Sequence, residues 1–273
     1  MRKVVLALVL SVITAISAAP QSQLPRVRII LVGDSTMAVR SGWGPGFCAD
    51  VVEQVACVNM AKGGRSSGSY RAEGSWAKVM DELKRNSEFQ STYILIQFGH
   101  NDQPNKPGRS TDLVKQFPAN MRRYAEEVKE AGAKPVLITP LARRFVTDGK
   151  VRNDLAPWAD ATRAVGAELG VPVLELNADS VEAIEKMGAV EANTLAMAPP
   201  TSAAMETAVF GNSIVLAKKP AKAPSKNAPE SQGETAPVFD YTHLGAKGSA
   251  FFARMVAGEL TKAVPDLQPY IKP

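Results

Sequence analysis

Five short apolar runs rich in Val, Ile and Leu alternate with longer stretches of helical periodicity, and no other feature of this chain restricts its fold so tightly. The runs lie at 27–32, 55–59, 93–97, 135–139 and 171–176. The intervening and following spacing predicts helices over 46–52, 75–86, 112–131, 156–169, 180–187 and 246–261. In the second of these, Trp76, Val79, Met80 and Leu83 share one face, and Gly132 marks the end of the third. Strands that are apolar along their whole length are buried on both faces, as in a parallel sheet covered by helices on either side. Right-handed crossovers then make the chain an α/β protein, a three-layer α/β/α sandwich with a five-stranded parallel sheet. At 273 residues the length suits one such domain, expected over 26–265.

Sheets of this kind carry their chemistry in loops at the carboxyl ends of the strands. Gly33-Asp34-Ser35-Thr36 follows the first run, the 59–66 segment containing Gly63-Gly64-Arg65-Ser66 the second, and Gly99-His100-Asn101-Asp102 the third. Asp240-Tyr241-Thr242-His243 precedes the last helix. These types match the needs of acyl transfer. A serine hydroxyl attacks only when a base takes its proton, and an Asp beside a histidine base fixes its tautomer. A glycine N–H and an asparagine amide suit the oxyanion of a tetrahedral intermediate. The chain has 2 histidines, so a histidine base is His100 or His243. Asp240, three residues before His243, favours the latter and leaves His100 as a hydrogen-bonded residue holding its turn.

The four segments resemble the blocks of the SGNH (GDSL) hydrolases. The resemblance implies a flavodoxin-like sandwich, Ser35 as nucleophile, His243 as general base and Asp240 as the acid that orients it. It also implies an oxyanion hole built from Ser35, Gly64 and Asn101, and no metal or organic cofactor. Thr36 stands where the family name expects Leu. Together with Gly64-Arg65-Ser66, Phe98-Gly99-His100-Asn101-Asp102 and the 139–150 segment, it makes the chain similar to the rhamnogalacturonan acetylesterases. That subgroup implies removal of acetyl groups from galacturonic acid residues of pectin, so the expected partner is an acetylated plant cell-wall polysaccharide. A lipase, thioesterase or arylesterase on the same fold is the alternative enzyme, and a silent glycan-binding protein the non-enzyme. Arg143 and Arg144, like Arg65, either meet polymer carboxylates or form internal ion pairs. Trp43 either stacks on a sugar or fills the edge of the core.

Charge and composition remove other classes. Of the formal net charge of +5, two charges belong to Arg2 and Lys3, and no basic run of five is present, which argues against a nucleic-acid ligand. The 62–66 segment lacks the spacing of a phosphate loop. Two histidines without His-Glu-x-x-His do not make a metallohydrolase. Arg2-Lys3, the apolar stretch 4–16 and Ser17-Ala18-Ala19 read as a signal peptide over 1–19, since the apolar part falls short of the ~20 residues a spanning helix needs. Export to the periplasm or cell exterior is expected, with no further membrane association. There Cys48 and Cys57 either form a disulfide or remain buried thiols. Residues 189–237, rich in Ala, Pro, Ser and Lys, read as a low-complexity insertion, within which 195–216 has enough apolar residues to dock locally.

Overall fold

The computed structural model describes residues 26–215 and 237–272; the expected signal peptide and residues 216–236 of the low-complexity stretch lie outside them. In chain order the first elements are β1 (Val27–Gly33), α1 (Gly44–Ala49), β2 (Val55–Asn59), α2 (Ser67–Ala72), α3 (Ser75–Leu83) and β3 (Ser91–Gln97). Then come α4 (Gln116–Glu130), β4 (Lys134–Ile138), a hairpin of β5 (Val146–Thr147) and β6 (Lys150–Val151), and α5 (Ala156–Leu169). The last are β7 (Val173–Leu174), α6 (Leu176–Asn193), α7 (Ser202–Ala208) and α8 (Ala246–Ala263). Strands β2-β1-β3-β4-β7 form one sheet in that order, every pair parallel. The strand order therefore reverses at β1, which lies between β2 and β3.

Every residue of β1 is buried, and its side chains alternate between two cores. Ile29 and Leu31 join Trp43, Phe47, Phe252, Val256 and Leu260 on the face covered by α1 and α8. Ile30 and Val32 join Trp76, Phe117, Met121 and Tyr124 beneath α3 and α4. On α8 the apolar positions Phe252, Val256 and Leu260 recur every four residues, and burying each such side chain contributes about 1.5–3 kcal/mol. Arg28, also in β1, is 2 % exposed; it donates to the Glu82 carbonyl and Asn86 Oδ1 and lies over the Phe89 ring.

Differences from the expected elements have local causes. The α4 helix starts at Gln116 rather than 112 because Asp112 Oδ1 takes the N–H groups of Val114 and Lys115 in a turn before it. Run 171–176 contributes only Val173–Leu174 to the sheet, since β7 is an edge strand paired with β4 alone and Leu176 already opens α6. Three elements were not expected: α2, α7 and the β5–β6 hairpin. The hairpin turns on Asp148-Gly149 with φ of 50° and 75°, the positive values that a tight hairpin turn requires. Cys48 of α1 and Cys57 of β2 are joined as a disulfide, Cα–Cα 5.5 Å. The 189–215 part of the low-complexity stretch is folded. Ala189, Ala192 and Leu195 enter the core, and Ile214 N donates to Tyr241 Oη beside the last loop.

Candidate active site

At the carboxyl end of β1 the chain turns sharply, and a buried relay of hydrogen bonds sets the turn. Trp43 Nε1 donates to Gln97 Oε1 (2.9 Å), Gln97 Nε2 to Thr36 Oγ1 (2.5 Å), and Thr36 Oγ1 to Asp34 Oδ1 (2.8 Å), which also takes Thr36 N. Trp43 is 0 % exposed, so the core alternative holds for it and sugar stacking does not. Thr36 both accepts and donates within the relay, a role that leucine has no atom to fill. Thr36→Val keeps the volume but leaves the Gln97 amide without its acceptor. The expected cost is about 1–3 kcal/mol, seen as a lower urea midpoint at unchanged slope; an unmoved midpoint would show that the relay adds nothing to stability.

The relay presents Ser35 to the loop that precedes α8. His243 Nε2 stands 3.0 Å from Ser35 Oγ, and His243 Nδ1 2.7 Å from Asp240 Oδ2. Asp240 Oδ1 takes the backbone N–H of both Thr242 and His243 at 2.7 Å. Burial would raise the Asp240 carboxyl, but the hydrogen bond and charge of His243 and the two backbone donors outweigh it and hold its pKa at about 2. An ionised carboxylate only accepts, so His243 Nδ1 carries the hydrogen and Nε2 is left to accept from serine. Because Asp240 titrates below its ordinary value of 3.8, its contribution to stability is fully present above pH ~4 and is lost only as pH falls through about 2.

The two arginines expected at a substrate carboxylate are placed otherwise. Arg144 is 1 % exposed. Its guanidinium donates to the carbonyls of Asp240, Thr242 and His243, at 3.0, 3.4 and 3.0 Å, and its own N–H to the Tyr241 carbonyl. It therefore clamps the histidine loop from beneath and has no route to solvent. Burial lowers its pKa to about 10 against the attraction of Asp240, so it stays charged at neutral pH. Arg143 pairs with Asp154 at 2.7 Å and donates to Gln103 Oε1, and Arg65 pairs with Glu73 at 2.8 Å. Arg143 and Arg65 thus form internal ion pairs, whereas Arg144 meets backbone carbonyls in place of an acid.

Gly64 and Asn101 are brought together from the loops after β2 and β3. Gly64 has φ of 76°, a conformation that favours glycine, and a Cβ placed on Gly63 would stand 3.7 Å from that of Ser35. Asn101 Nδ2 donates one hydrogen to the Arg65 carbonyl (3.1 Å), and its Oδ1 accepts from Arg109 Nη1 (3.3 Å). The same Nη1 donates to the Gly64 carbonyl (3.3 Å), so one guanidinium spans both residues. Asp102 ties the loops together by accepting from Ser67 N, Ser67 Oγ and Thr111 Oγ1. Burial raises its pKa to about 6 despite those donors. Sequence reasoning missed Gln97, Asp102 and Arg109 as site-building residues, because their partners are remote or lie in unmarked loops. His100, expected to hold its turn by hydrogen bonds, has its Nδ1 3.4 Å from Asp34 Oδ2, the polar contact its ring makes in the turn, and is 4 % exposed. Burial lowers the His100 pKa, whereas its contact and the Thr36 donors hold Asp34 below its ordinary value against burial.

Residues 31–194 match the family model described as GDSL-like Lipase/Acylhydrolase family. The chain is 36% identical over 177 residues to rhamnogalacturonan acetylesterase RhgT of Bacillus subtilis, a match covering 62% of this chain and 73% of the relative. It is 34% identical over 192 residues to a rhamnogalacturonan acetylesterase of Emericella nidulans, covering 61% and 74%. Among solved structures, protein YxiM of Bacillus subtilis aligns with a TM-score of 0.59 at 19% identity, over 87% of this chain and 56% of that one. The acetyl xylan esterase AlAXEase aligns with a TM-score of 0.56 at 16% identity, over 85% and 98%. At those identities the structures attest the shared fold.

Proposed function

The chain belongs to the GDSL-like lipase/acylhydrolase family, and from that premise we propose that it is a carbohydrate O-acetylesterase acting on rhamnogalacturonan by serine acyl transfer. The observation that carries the mechanism is the unbroken chain from Asp240 through His243 to Ser35, at 2.7 and 3.0 Å, facing the Gly64 and Asn101 loops. The substrate class rests on the relatives at 36% and 34% identity.

Ser35 Oγ attacks the acetyl carbonyl carbon while His243 Nε2 takes its proton, and Asp240 stabilises the imidazolium that results. The backbone N–H groups of Ser35 and Gly64 and the second Asn101 amide hydrogen hold the oxyanion. Collapse of the tetrahedral intermediate breaks the ester bond, and His243 returns the proton to the departing sugar oxygen. Water then attacks acetyl-Ser35 with His243 again as base, and acetate leaves. Neither step needs a redox or metal partner. Export, as expected from the N-terminal segment, is supported by the Cys48–Cys57 disulfide, since such bonds persist in oxidising compartments.

Acetate release from acetylated rhamnogalacturonan, acetylated xylan and a series of synthetic esters of rising acyl length tests this reading. The expected order puts rhamnogalacturonan first and acetyl above every longer acyl group. A preference for long acyl chains would overturn it in favour of a lipase or thioesterase.

A further inference from the structure

Three of the arginines around the site are accounted for by the fold. Arg65 and Arg143 each hold an acid and Arg144 lies beneath the histidine loop, whereas Arg109 forms no ion pair among the described residues. We infer that Arg109 is a positioning residue of the oxyanion hole. Its guanidinium sets the orientation of the Asn101 amide and of Gly64, and through Asn101 it lends positive charge to the anion that forms at the acetyl carbonyl. The inference rests on the serine-esterase part of the reading above and is independent of the polymer.

Three observations carry it. An asparagine amide has two orientations a half-turn apart, and they present opposite chemistry to the same neighbours. As placed, Asn101 Nδ2 faces the Arg65 carbonyl at 3.1 Å and Oδ1 faces Arg109 Nη1 at 3.3 Å, so each contact joins a donor to an acceptor. The half-turn would set amide hydrogens against the guanidinium and oxygen against a carbonyl. Arg109 therefore selects the orientation that leaves the second Nδ2 hydrogen for the oxyanion. Asn101 is 8 % exposed, so without that guanidinium its Oδ1 loses a donor that solvent does not readily replace. An acceptor bound to a cation also polarises the amide and makes its N–H a stronger donor.

Second, the same Nη1 donates to the Gly64 carbonyl at 3.3 Å. Gly64 has φ of 76° and no side chain to limit its backbone, so this contact ties the peptide after it to the Asn101 loop. Oxyanion donors from two different strand-end loops are thus set by one nitrogen. Third, Arg109 is itself held in place. Its backbone N–H donates to the Lys106 carbonyl at 2.9 Å, and Ser110 Oγ donates to the Gln103 carbonyl at 2.8 Å. Thr111 then closes the loop on the residue after Asn101, donating from N to the Asp102 carbonyl at 3.0 Å and from Oγ1 to Asp102 Oδ1 at 2.8 Å. The arginine is therefore fastened to the loop whose amide it orients, and little reorganisation is needed when charge develops.

The experiment uses a small neutral acetyl ester, on which no substrate charge can meet the arginine, together with methylboronic acid, whose adduct with Ser35 is a tetrahedral anion. Arg109→Gln is expected to lower kcat by about tenfold to thirtyfold, less than the hundredfold or more that loss of an oxyanion donor itself costs. KM should stay within about twofold, and methylboronic acid should bind more weakly by about the same factor as kcat falls. Arg109→Lys keeps the charge but cannot span both acceptors, and is expected to lose only about threefold in kcat. In an Asn101→Ala background, Arg109→Gln should cost no more than about threefold further, since its effect runs through Asn101. Wild-type kcat in Arg109→Gln, or a full tenfold further loss in the Asn101→Ala background, would overturn the positioning role alone. So would a lower Tm with methylboronic acid affinity unchanged, the mark of a purely structural residue. Failure of the wild type to cleave the neutral ester would remove the esterase reading and the role with it.

Discussion

Replacing Ser35 with alanine is expected to lower kcat for acetate release by about four to six orders of magnitude, the range that loss of a triad serine gives, while the fold stays intact. The Ser35 side chain makes a single hydrogen bond, the 3.0 Å contact with His243, so its removal leaves no donor or acceptor stranded in the core. The turn itself is held by other groups: Asp34 takes Thr36 N, and Ser41 Oγ donates to the Ser35 carbonyl at 2.7 Å. Rate and stability therefore separate. Acetate release followed by an enzyme-coupled assay reads the first, and calorimetry the second. Activity within tenfold of wild type would remove Ser35 as nucleophile, whatever the family relationship.

Arg144→Met is expected to act the opposite way, through the fold first. A methionine fills most of the volume but donates nothing, so the carbonyls of Asp240, Thr242 and His243 lose the guanidinium at once. Removing the buried guanidinium takes a charged donor from three half-buried carbonyls, of which that of His243 keeps Met197 N, at a cost of about 3–5 kcal/mol, comparable to breaking a buried charged network. In a chain of this size that is a fall in Tm of roughly 10 °C. The loop it releases carries both Asp240 and His243, so kcat should fall too, with KM for a small ester little changed. Arg144→Lys is expected to recover only part of either loss, because one ammonium cannot reach three carbonyls in a plane. Wild-type Tm and kcat in Arg144→Met would refute the clamp.

The sheet was largely legible because its strands are apolar throughout. Residues 27–32 and 55–59 read as strands for the same reason that Ile29, Ile30, Leu31 and Val32 are all 0 % exposed. Edge and small elements were not. The β7 strand contributes two residues, and α7 buries only Ala204 and Ala208, which leave no apolar period in a stretch dominated by Ala, Thr and Ser. His243 stood out because the chain has only two histidines and Asp240 lies three residues before it, whereas Ser35, Gly64 and Asn101 took their roles from the resemblance of the four strand-end segments to the SGNH hydrolases. The residues that place them did not stand out. Asp102 bonds Ser67 across 35 positions, Gln97 bonds Trp43 across 54, and Arg144 meets its carbonyls across 96 to 99. No local pattern signals such pairings, and an arginine next to a second arginine looked equally suited to a ligand.

The relay under the serine turn also bears on how this site can change over generations. Trp43, Gln97 and Thr36 are each bound to the next by one donor and one acceptor, in a single direction that ends on Asp34. A leucine at position 36 would strand the Gln97 amide, and an apolar residue at 97 would strand the Trp43 indole. Either change alone leaves a buried donor unpaired at a cost of about 1–3 kcal/mol, whereas a concerted replacement that removes donors and acceptors together avoids that cost. Positions 36, 43 and 97 should thus be inherited as one trait, and a lineage that swaps the threonine for leucine should carry its compensation on two other segments of chain.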